Sequence, residues 1–463
     1  MEYHPPTVPA EIVAVNARYI ELARRDGSEP RLDSIADPQT LETRFTPISM
    51  ETTTRYFEDP SRFGDWVNLA SEIDTSVPEG QGLYDATMRN IQGMQLARAQ
   101  LAGDLDQIRE LETALYGGLY SDRLFTDAVY EVLDHMATFS QAKYPYTHML
   151  AQRTGPILEE IVKGRERSPD GASRLTPEAK SAIALWLDGK LGHIFEEIDP
   201  DKLHTPADVV GEMQRCIVLL PELFAGTRWH TRLAEWKHSV PRTIPLEEYV
   251  EIPSGLLPAT RTNVISYAIH EVFGHAGRSA RGQSYSSALA TYSTATNSTF
   301  EETFCSLLEG VPLPDERRGL PGSMSYIGVS LALGALGTDF DRHQLFSIRR
   351  DIQHSSAASI LGRDLSPSEV ENRKNNDVNI VLARTFTAIP LEARGVANMA
   401  PLTYYFGMQR AVPLLNAIGE SNAVDASMDW LMSGKFNPYH QGDRAFMERY
   451  HPMPAALEPF FAE

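Results

Sequence analysis

Cysteine is scarce in this chain of 463 residues, which contains only Cys216 and Cys305. Two cysteines without paired spacing argue against a disulfide framework and against a cysteine-ligated zinc ribbon. This pattern favours a reducing compartment. The N-terminal stretch MEYHPPTVPAE also lacks the basic region and apolar core of a secretory signal. We therefore expect a cytoplasmic protein.

Long apolar runs are also missing. No stretch reaches the roughly 18 uninterrupted apolar residues that a membrane-spanning helix needs. The longest candidate, 327–337, is short and is interrupted by Ser330 and Gly334. We interpret it as a buried helix, and we do not expect a membrane as a partner.

Basic residues are outnumbered, since 42 Lys and Arg stand against 62 Asp and Glu, which gives a net charge of −20. A surface this negative repels phosphate backbones and anionic lipid, so we do not expect nucleic acid as a partner. The hydrophobic fraction of 42% and the charged fraction of 22% are ordinary for a globular protein.

Helical periodicity dominates what is present. Apolar residues recur at helical spacing in many segments, and we predict helices at 9–25, 51–57, 86–102, 105–116, 121–143, 177–191, 205–224, 343–361, 366–387, 403–418 and 423–434. The polar stretch 28–39 is typical of a linker. Residues 239–255 are rich in β-formers and predict one or two short strands. Such strands either bind an extended peptide by strand addition or tie two subdomains together.

The chemistry of the chain concentrates in residues 257–308. His270, Glu271 and His275 form an HExxxH pattern, and the acidic pair Glu301 and Glu302 follows. Histidine and carboxylate side chains set close together on helices are what a tetrahedral zinc site needs. The sequence therefore predicts a hydrolytic zinc site.

The spacing of the two histidines makes a specific structural prediction. The commoner zinc-peptidase motif is HExxH, which places both imidazoles on one helix face, whereas His270 and His275 are five residues apart. On a regular helix that spacing separates them by roughly 140°, too far for one metal ion. The helix must therefore widen by a π-bulge, or end, near Gly274.

The third ligand is chosen between two neighbouring glutamates. The stretch Ser298-Thr299-Phe300-Glu301 matches a capping box, with Ser298 as N-cap and Glu301 folding back on the backbone. Glu302 is then left to bind metal, on one polar face with Ser306 and Glu309. We predict that His270, His275 and Glu302 hold one Zn²⁺ ion.

Glu271 follows the first ligand directly and is predicted to act as the general base. It would take a proton from the metal-activated water and pass it to the leaving amine. Two alternatives stay open. The same His/His/Glu set can hold iron as a facial triad in an oxidoreductase, or the protein is a non-catalytic helical binding protein stabilised by its metal. Cys305 lies near the site and is interpreted as core.

The two metal segments, HEVFGHAGR from His270 and EETFCSLLE from Glu301, resemble the pattern HEhxTHxxR…EEGLAxxxE. That pattern belongs to the bacterial flavohemoglobin expression-modulating QEGLA-motif proteins and to the microtubule-associated tyrosine carboxypeptidases. The chain departs from it at Gly274, where the family has threonine, and at Thr303-Phe304-Cys305, where the family has Gly-Leu-Ala. The family's metal-binding glutamate corresponds to Glu302.

The resemblance implies a metallocarboxypeptidase that removes the C-terminal residue of a peptide or protein. Arg278 is then a candidate for binding the substrate carboxylate, or it complements the helix dipole; Arg384 is a second candidate. Tyr404 either donates a hydrogen bond to the oxyanion or is a core aromatic.

We accordingly predict a mainly α fold with a small β element, in which a gluzincin-like metallopeptidase core follows a helical N-terminal half. The predicted segments are an N-terminal helix and linker, a helical subdomain, the metallopeptidase core and a C-terminal tail, at 1–40, 41–238, 239–440 and 441–463.

Overall fold

Helices form most of the secondary structure in a computed structural model of the chain. The structure describes residues 10–26, 60–116, 175–235, 240–285, 287–292, 298–312, 395–398 and 403–461, together with residues 329, 332, 366 and 368. Within these ranges the chain is mainly helical with one small sheet. The predicted class, mainly α with a small β element, is therefore confirmed.

The helices before the sheet are α1 (Ala10–Asp26), α2 (Pro60–Glu72), α3 (Pro78–Ala102), α4 (Leu105–Tyr116), α5 (Pro177–Phe195), α6 (Pro206–Leu219) and α7 (Pro221–Phe224). The strands are β1 (His230–Ala234), β2 (Arg242–Ile244) and β3 (Tyr249–Pro253). The later helices are α8 (Arg261–Tyr267), a π-helix (Ala268–Ala276), α9 (Gly277–Gln283), α10 (Ala288–Tyr292), α11 (Ser298–Gly310), α12 (Thr403–Glu420), α13 (Val424–Leu431), α14 (Gln441–Glu448) and α15 (Glu458–Phe461).

Threonine side chains start several of these helices. Thr176, Thr205 and Thr260 each accept a hydrogen bond from a backbone N–H in the first turn of α5, α6 and α8, which satisfies a donor that the helix leaves open. The helix predicted at 205–224 is broken into α6 and α7, because Leu220 leaves helical geometry before Pro221. The helices α2, α10, α14 and α15 were not predicted from the sequence.

The sheet has the order β1-β3-β2, with β1 parallel and β2 antiparallel to the central β3. The two later strands lie inside the predicted segment 239–255, and β1 was not predicted. Glu251 of β3 is paired with Arg232 of β1 and Arg242 of β2, which stand opposite it in register. One face of β2 meets the π-helix through Thr243.

One hydrophobic core runs through the described chain, from Tyr19 in α1 to Leu457 near the C-terminus. The segment predicted as a C-terminal tail contributes Phe446 and Met447 of α14 to this core, so its described part is packed structure. The helix α11 lies against α12 and against the π-helix. No helix among the described residues is long and apolar enough to cross a membrane.

Several predicted elements lie outside the described residues. They are the linker at 28–39, the helices at 51–57, 121–143 and 343–361, and nearly all of the helix at 366–387.

Candidate metal centre

The predicted metal helix runs without a break from Arg261 to Gln283 and widens in its middle. Residues Ala268–Ala276 form a π-helix between the α-helical segments α8 and α9. Backbone hydrogen bonds in a π-helix join residues five apart, so a residue lies nearly above the one five positions earlier. The π-helix thus brings His270 and His275 to one side, and the predicted widening near Gly274 is confirmed.

Gly274 is required by a close approach of α11. A Cβ atom at this position would lie 2.7 Å from Cys305 Sγ and 3.1 Å from the carbonyl oxygen of Ile269, and the first of these distances is far inside van der Waals contact. Cys305 is fully buried. Glycine therefore lets α11, which carries Glu302, pack directly on the turn that carries the histidines.

The two imidazoles converge on one point. His270 Nε2 and His275 Nε2 lie 3.2 Å apart, and Glu302 Oε1 lies 3.8 Å from His275 Nε2. Two nitrogens bound tetrahedrally at about 2.05 Å from zinc would be about 3.3 Å apart. The ligand atoms of His270, His275 and Glu302 all lie within 4.8 Å of one another, the one such group among the described residues. The donor set and its spacing fit a zinc ion.

Each histidine is supported by a carboxylate on its other ring nitrogen. His270 Nδ1 lies 2.8 Å from Glu309 Oε2, and His275 Nδ1 lies 2.8 Å from Glu301 Oε1. Because an ionised carboxylate only accepts hydrogen bonds, Nδ1 is the donor in both contacts. The neutral form of each ring then has its lone pair on Nε2, the atom that faces the cluster. Carboxylates in this position orient metal-binding histidines and make them more basic.

Glu301 has a role that the capping-box prediction did not include. It lies in the first turn of α11, which begins at Ser298. The carboxylate of Glu301 is buried and is bonded to His275 and to Lys435 Nζ, the latter at 2.9 Å. Glu302, the glutamate predicted to be a ligand, is the one of the pair that lies by His275 Nε2.

The support from Glu309 was missed, although the sequence carried a signal for it. Glu302 and Glu309 are seven residues apart and share one face of α11, a relationship visible in the helical spacing. In the structure Glu302 lies by the histidine Nε2 atoms while Glu309 reaches the far side of His270. Lys435 lies too far along the sequence for any local pattern to have indicated it.

The charges of the site are strongly coupled. Burial alone would lower the pKa of His270, but the hydrogen bond and the charge of Glu309 raise it to about 9. Burial also opposes protonation of His275, but interactions with Cys305 and then with Glu301 raise its pKa well above the usual value. Burial would raise the pKa of Glu301, but Lys435 and His275 hold it far below its usual range. The pocket thus attracts positive charge.

Glu271 lies on the same π-helix and is buried. Its Oε2 accepts a hydrogen bond from the Thr243 hydroxyl at 2.7 Å, and the same hydroxyl lies 2.9 Å from the Glu271 carbonyl oxygen. Burial raises the pKa of the Glu271 carboxyl above its ordinary value. The role of β2 in holding this carboxylate was not foreseen from the sequence.

Arg278 is buried among aromatic side chains. It is fully buried, its Nη2 donates to the Phe436 carbonyl oxygen at 2.9 Å, and its guanidinium lies 5.6 Å from the ring centroid of Phe304 and 5.8 Å from that of Phe300. A fully buried cation in these surroundings does not meet a substrate in this structure. Its position therefore does not support the predicted binding of a substrate carboxylate.

The remaining predicted residues are placed only in part. Tyr404 lies in the first turn of α12, the helix that packs against α11, which carries Glu302. Arg384 lies outside the described residues.

No known family model matches the chain, and neither a curated protein nor a solved structure matches it at a significant level. The family resemblance noted for the two metal segments therefore stays a prediction.

Proposed function

We propose that the chain is a zinc-dependent metallopeptidase, with a gluzincin-like core that uses His270, His275 and Glu302 as ligands and Glu271 as general base. The observation that carries this proposal is the 3.2 Å separation of the two Nε2 atoms, with a buried carboxylate on the same helix. The two buried free cysteines agree with action in a reducing compartment, and we propose the cytoplasm.

Zinc bound by these ligands would supply Lewis-acid activation of a water molecule and of the scissile carbonyl group. Glu271 would accept the proton of the attacking water and transfer it to the leaving amine. Its raised pKa, caused by burial, suits both halves of that task, because a base closer to neutrality also returns the proton more readily. Thr243 holds the carboxylate in place through its hydroxyl group.

The substrate we propose is the C-terminus of a peptide or protein. This part of the proposal is supported by the resemblance of residues 270–278 and 301–309 to carboxypeptidases. Arg384 remains its candidate for binding the terminal carboxylate and Tyr404 its candidate oxyanion donor. Arg278 is left out of the substrate site, because it is fully buried.

The test combines metal analysis with a peptide library that varies the C-terminal residue, read by mass spectrometry. Wild-type protein should hold about one zinc ion per chain and shorten peptides with a free C-terminus but not their amidated counterparts. Glu271→Gln should keep the zinc and lose cleavage by about 10²–10⁴-fold. Glu110→Gln, which changes an exposed glutamate of α4, is the matched control and should cleave normally.

Three results would contradict the proposal. Full cleavage by Glu271→Gln would show that Glu271 is not the general base. Cleavage of amidated peptides would show that the enzyme is an endopeptidase and not a carboxypeptidase. Iron in place of zinc, with turnover that depends on oxygen, would identify the oxidoreductase built on the same ligands.

A further inference from the structure

Lys435 is a buried lysine that reaches the metal centre from a distant part of the sequence. It lies in the turn after α13, its side chain is 8% exposed, and its Nζ is 2.9 Å from Glu301 Oε1. The same oxygen is 2.8 Å from His275 Nδ1. A chain of polar contacts therefore runs from Lys435 through Glu301 to His275, whose Nε2 faces the ligand cluster.

The backbone around Lys435 is fixed on both sides. Its N–H donates to the Ala290 carbonyl oxygen at 2.8 Å, and the next carbonyl, of Phe436, accepts from Arg278 on the metal helix. The N–H of Asn437 donates to Asp443 at 2.9 Å. The backbone of Lys435 is thus held in place by hydrogen bonds. A residue that orients a neighbouring side chain needs such a fixed backbone.

The two histidines are supported unequally. The Glu301 side chain is 6% exposed and is held by the buried lysine, whereas the Glu309 side chain behind His270 is 31% exposed. Water can replace Glu309 as a hydrogen-bond acceptor but has little access to Glu301. The orientation of His275 therefore depends on protein groups alone.

We propose that Lys435 is a positioning residue of the metal centre, which holds Glu301 against His275 and so keeps His275 Nε2 directed at the ion. This inference rests on the metal site of the proposed function and is independent of the peptidase chemistry. Loss of a group that hydrogen-bonds a metal ligand typically weakens metal binding by about 10–100-fold, and Lys435 acts through such a group, Glu301.

The direction of the change in zinc affinity distinguishes a positioning role of Lys435 from a purely electrostatic one. A lysine close to a bound cation repels it, so if Lys435 acted only through its charge, Lys435→Met would bind zinc more tightly. Positioning predicts the opposite. We expect Lys435→Met to bind zinc about 10–100-fold more weakly than wild type, as measured by competition with a chromophoric chelator.

A rescue variant, a control variant and an absorption spectrum test the same role of Lys435 independently. Lys435→Arg keeps the charge and the hydrogen bond and should restore most of the affinity. Lys190→Met removes a lysine that pairs with Asp429 at the surface and should bind zinc as wild type does. The visible absorption of the Co²⁺-substituted protein should change in Lys435→Met and not in Lys190→Met, because it reports the geometry of the ligands. Zinc affinity in Lys435→Met equal to or tighter than wild type would overturn the proposal.

A double variant covers the case in which Lys435→Met does not fold. Glu301→Gln together with Lys435→Met removes both charges at once, and it should bind zinc no more weakly than Glu301→Gln alone, because the lysine acts through Glu301. A further loss in the double variant would contradict that route. Wild-type protein that binds no zinc would overturn the proposed function as well, whereas zinc binding without peptide cleavage would leave the assignment of Lys435 intact.

Discussion

At the scale of single residues, the two glutamates behind the histidines are placed in different surroundings. Glu301 is buried beside Lys435, and Glu309 is partly open to water. Both histidines donate a hydrogen bond from Nδ1 to a carboxylate. Water can replace this carboxylate at His270, where Glu309 is partly exposed, but not at His275, where Glu301 is buried. That difference is measurable by truncating each side chain in turn.

Glu309→Ala should weaken zinc binding by about tenfold, since water can take over the acceptor role, and should leave the thermal stability nearly unchanged. Glu301→Ala should weaken zinc binding further and also lower the melting temperature, because Lys435 then keeps a buried charge without its carboxylate. Chelator competition and calorimetry measure the two quantities. Equal losses in both variants would show that exposure does not matter here.

Gly274→Ala should destabilise the protein by about 1–3 kcal/mol, because the added methyl group overlaps Cys305 Sγ. Adding Cys305→Ala should recover part of this loss, since it removes the sulfur atom while the carbonyl of Ile269 stays close. Denaturant unfolding of the two single variants and the double variant gives the coupling energy. Additive effects would mean that the sulfur is not the atom in the way.

At the scale of elements, the π-helix and the short strand β2 together hold the proposed base. The π-helix turns Glu271 toward the sheet, and β2 supplies Thr243 to meet it. The antiparallel pairing with β3 holds β2 in register. This strand of three residues thus fixes the direction of the Glu271 carboxylate on the neighbouring helix.

Thr243→Val keeps the shape of the side chain and removes the hydroxyl donor. We expect zinc content to stay the same and kcat to fall by about tenfold or more, with little change in KM, because the base is less well oriented in the transition state. Thr243→Ser should restore most of kcat. A change in zinc content, or a change confined to KM, would contradict this role.

The start of α6 gives a prediction about pH. Hydrogen bonds from Lys202 and then from Thr205 lower the pKa of Asp208 below the ordinary value of an aspartate side chain. A carboxyl group whose pKa is lowered in the folded state stabilises that state above its unfolded pKa and loses this contribution as the pH falls. Asp208→Asn should therefore destabilise the protein at pH 7, and the difference from wild type should shrink below about pH 4. Urea unfolding across this range measures it, with the exposed Glu110→Gln as the control.

Features that depend on residues close together in the sequence could be predicted from it. The helix α4 and the widening at Gly274 follow from spacing alone. The candidate ligands His270 and His275 follow from residue type, and Glu302 was chosen over Glu301 by the capping-box interpretation. The contacts that support the site did not follow, because Thr243, Glu301 and Lys435 meet the metal helix only after folding. The strand β1 was missed because its pairing partner, β3, comes later in the chain.

At the scale of the whole molecule, the last helices complete the core that the first helices begin. Arg449, at the end of α14, is ion-paired with Glu79, a buried residue at the start of α3. Residues near both ends of the described chain thus contribute to one cluster. The C-terminal segment therefore contributes to the stability of the N-terminal helices.

Arg449→Met should destabilise the protein by about 3 kcal/mol, because it leaves the Glu79 carboxylate buried without its cation. Lys202→Met removes a lysine whose side chain is 46% exposed and should cost about 1 kcal/mol or less. Chemical denaturation of both variants tests the contrast. A similar small decrease in the free energy of unfolding of both variants would mean that water reaches the Glu79 carboxylate.

The wide turn of the metal helix also limits how this region can gain or lose residues. A π segment amounts to an α-helix with one extra residue in the turn, so a single deletion between His270 and His275 would restore an ordinary turn with the histidines four apart. Side chains beyond the deletion would keep nearly the same direction around the helix axis, because five residues of a π turn and four residues of an α turn both complete about one turn. A deletion elsewhere in this helix would rotate them by about 100° and move Arg278 out of its aromatic surroundings, so the wide turn is where the helix can change its length.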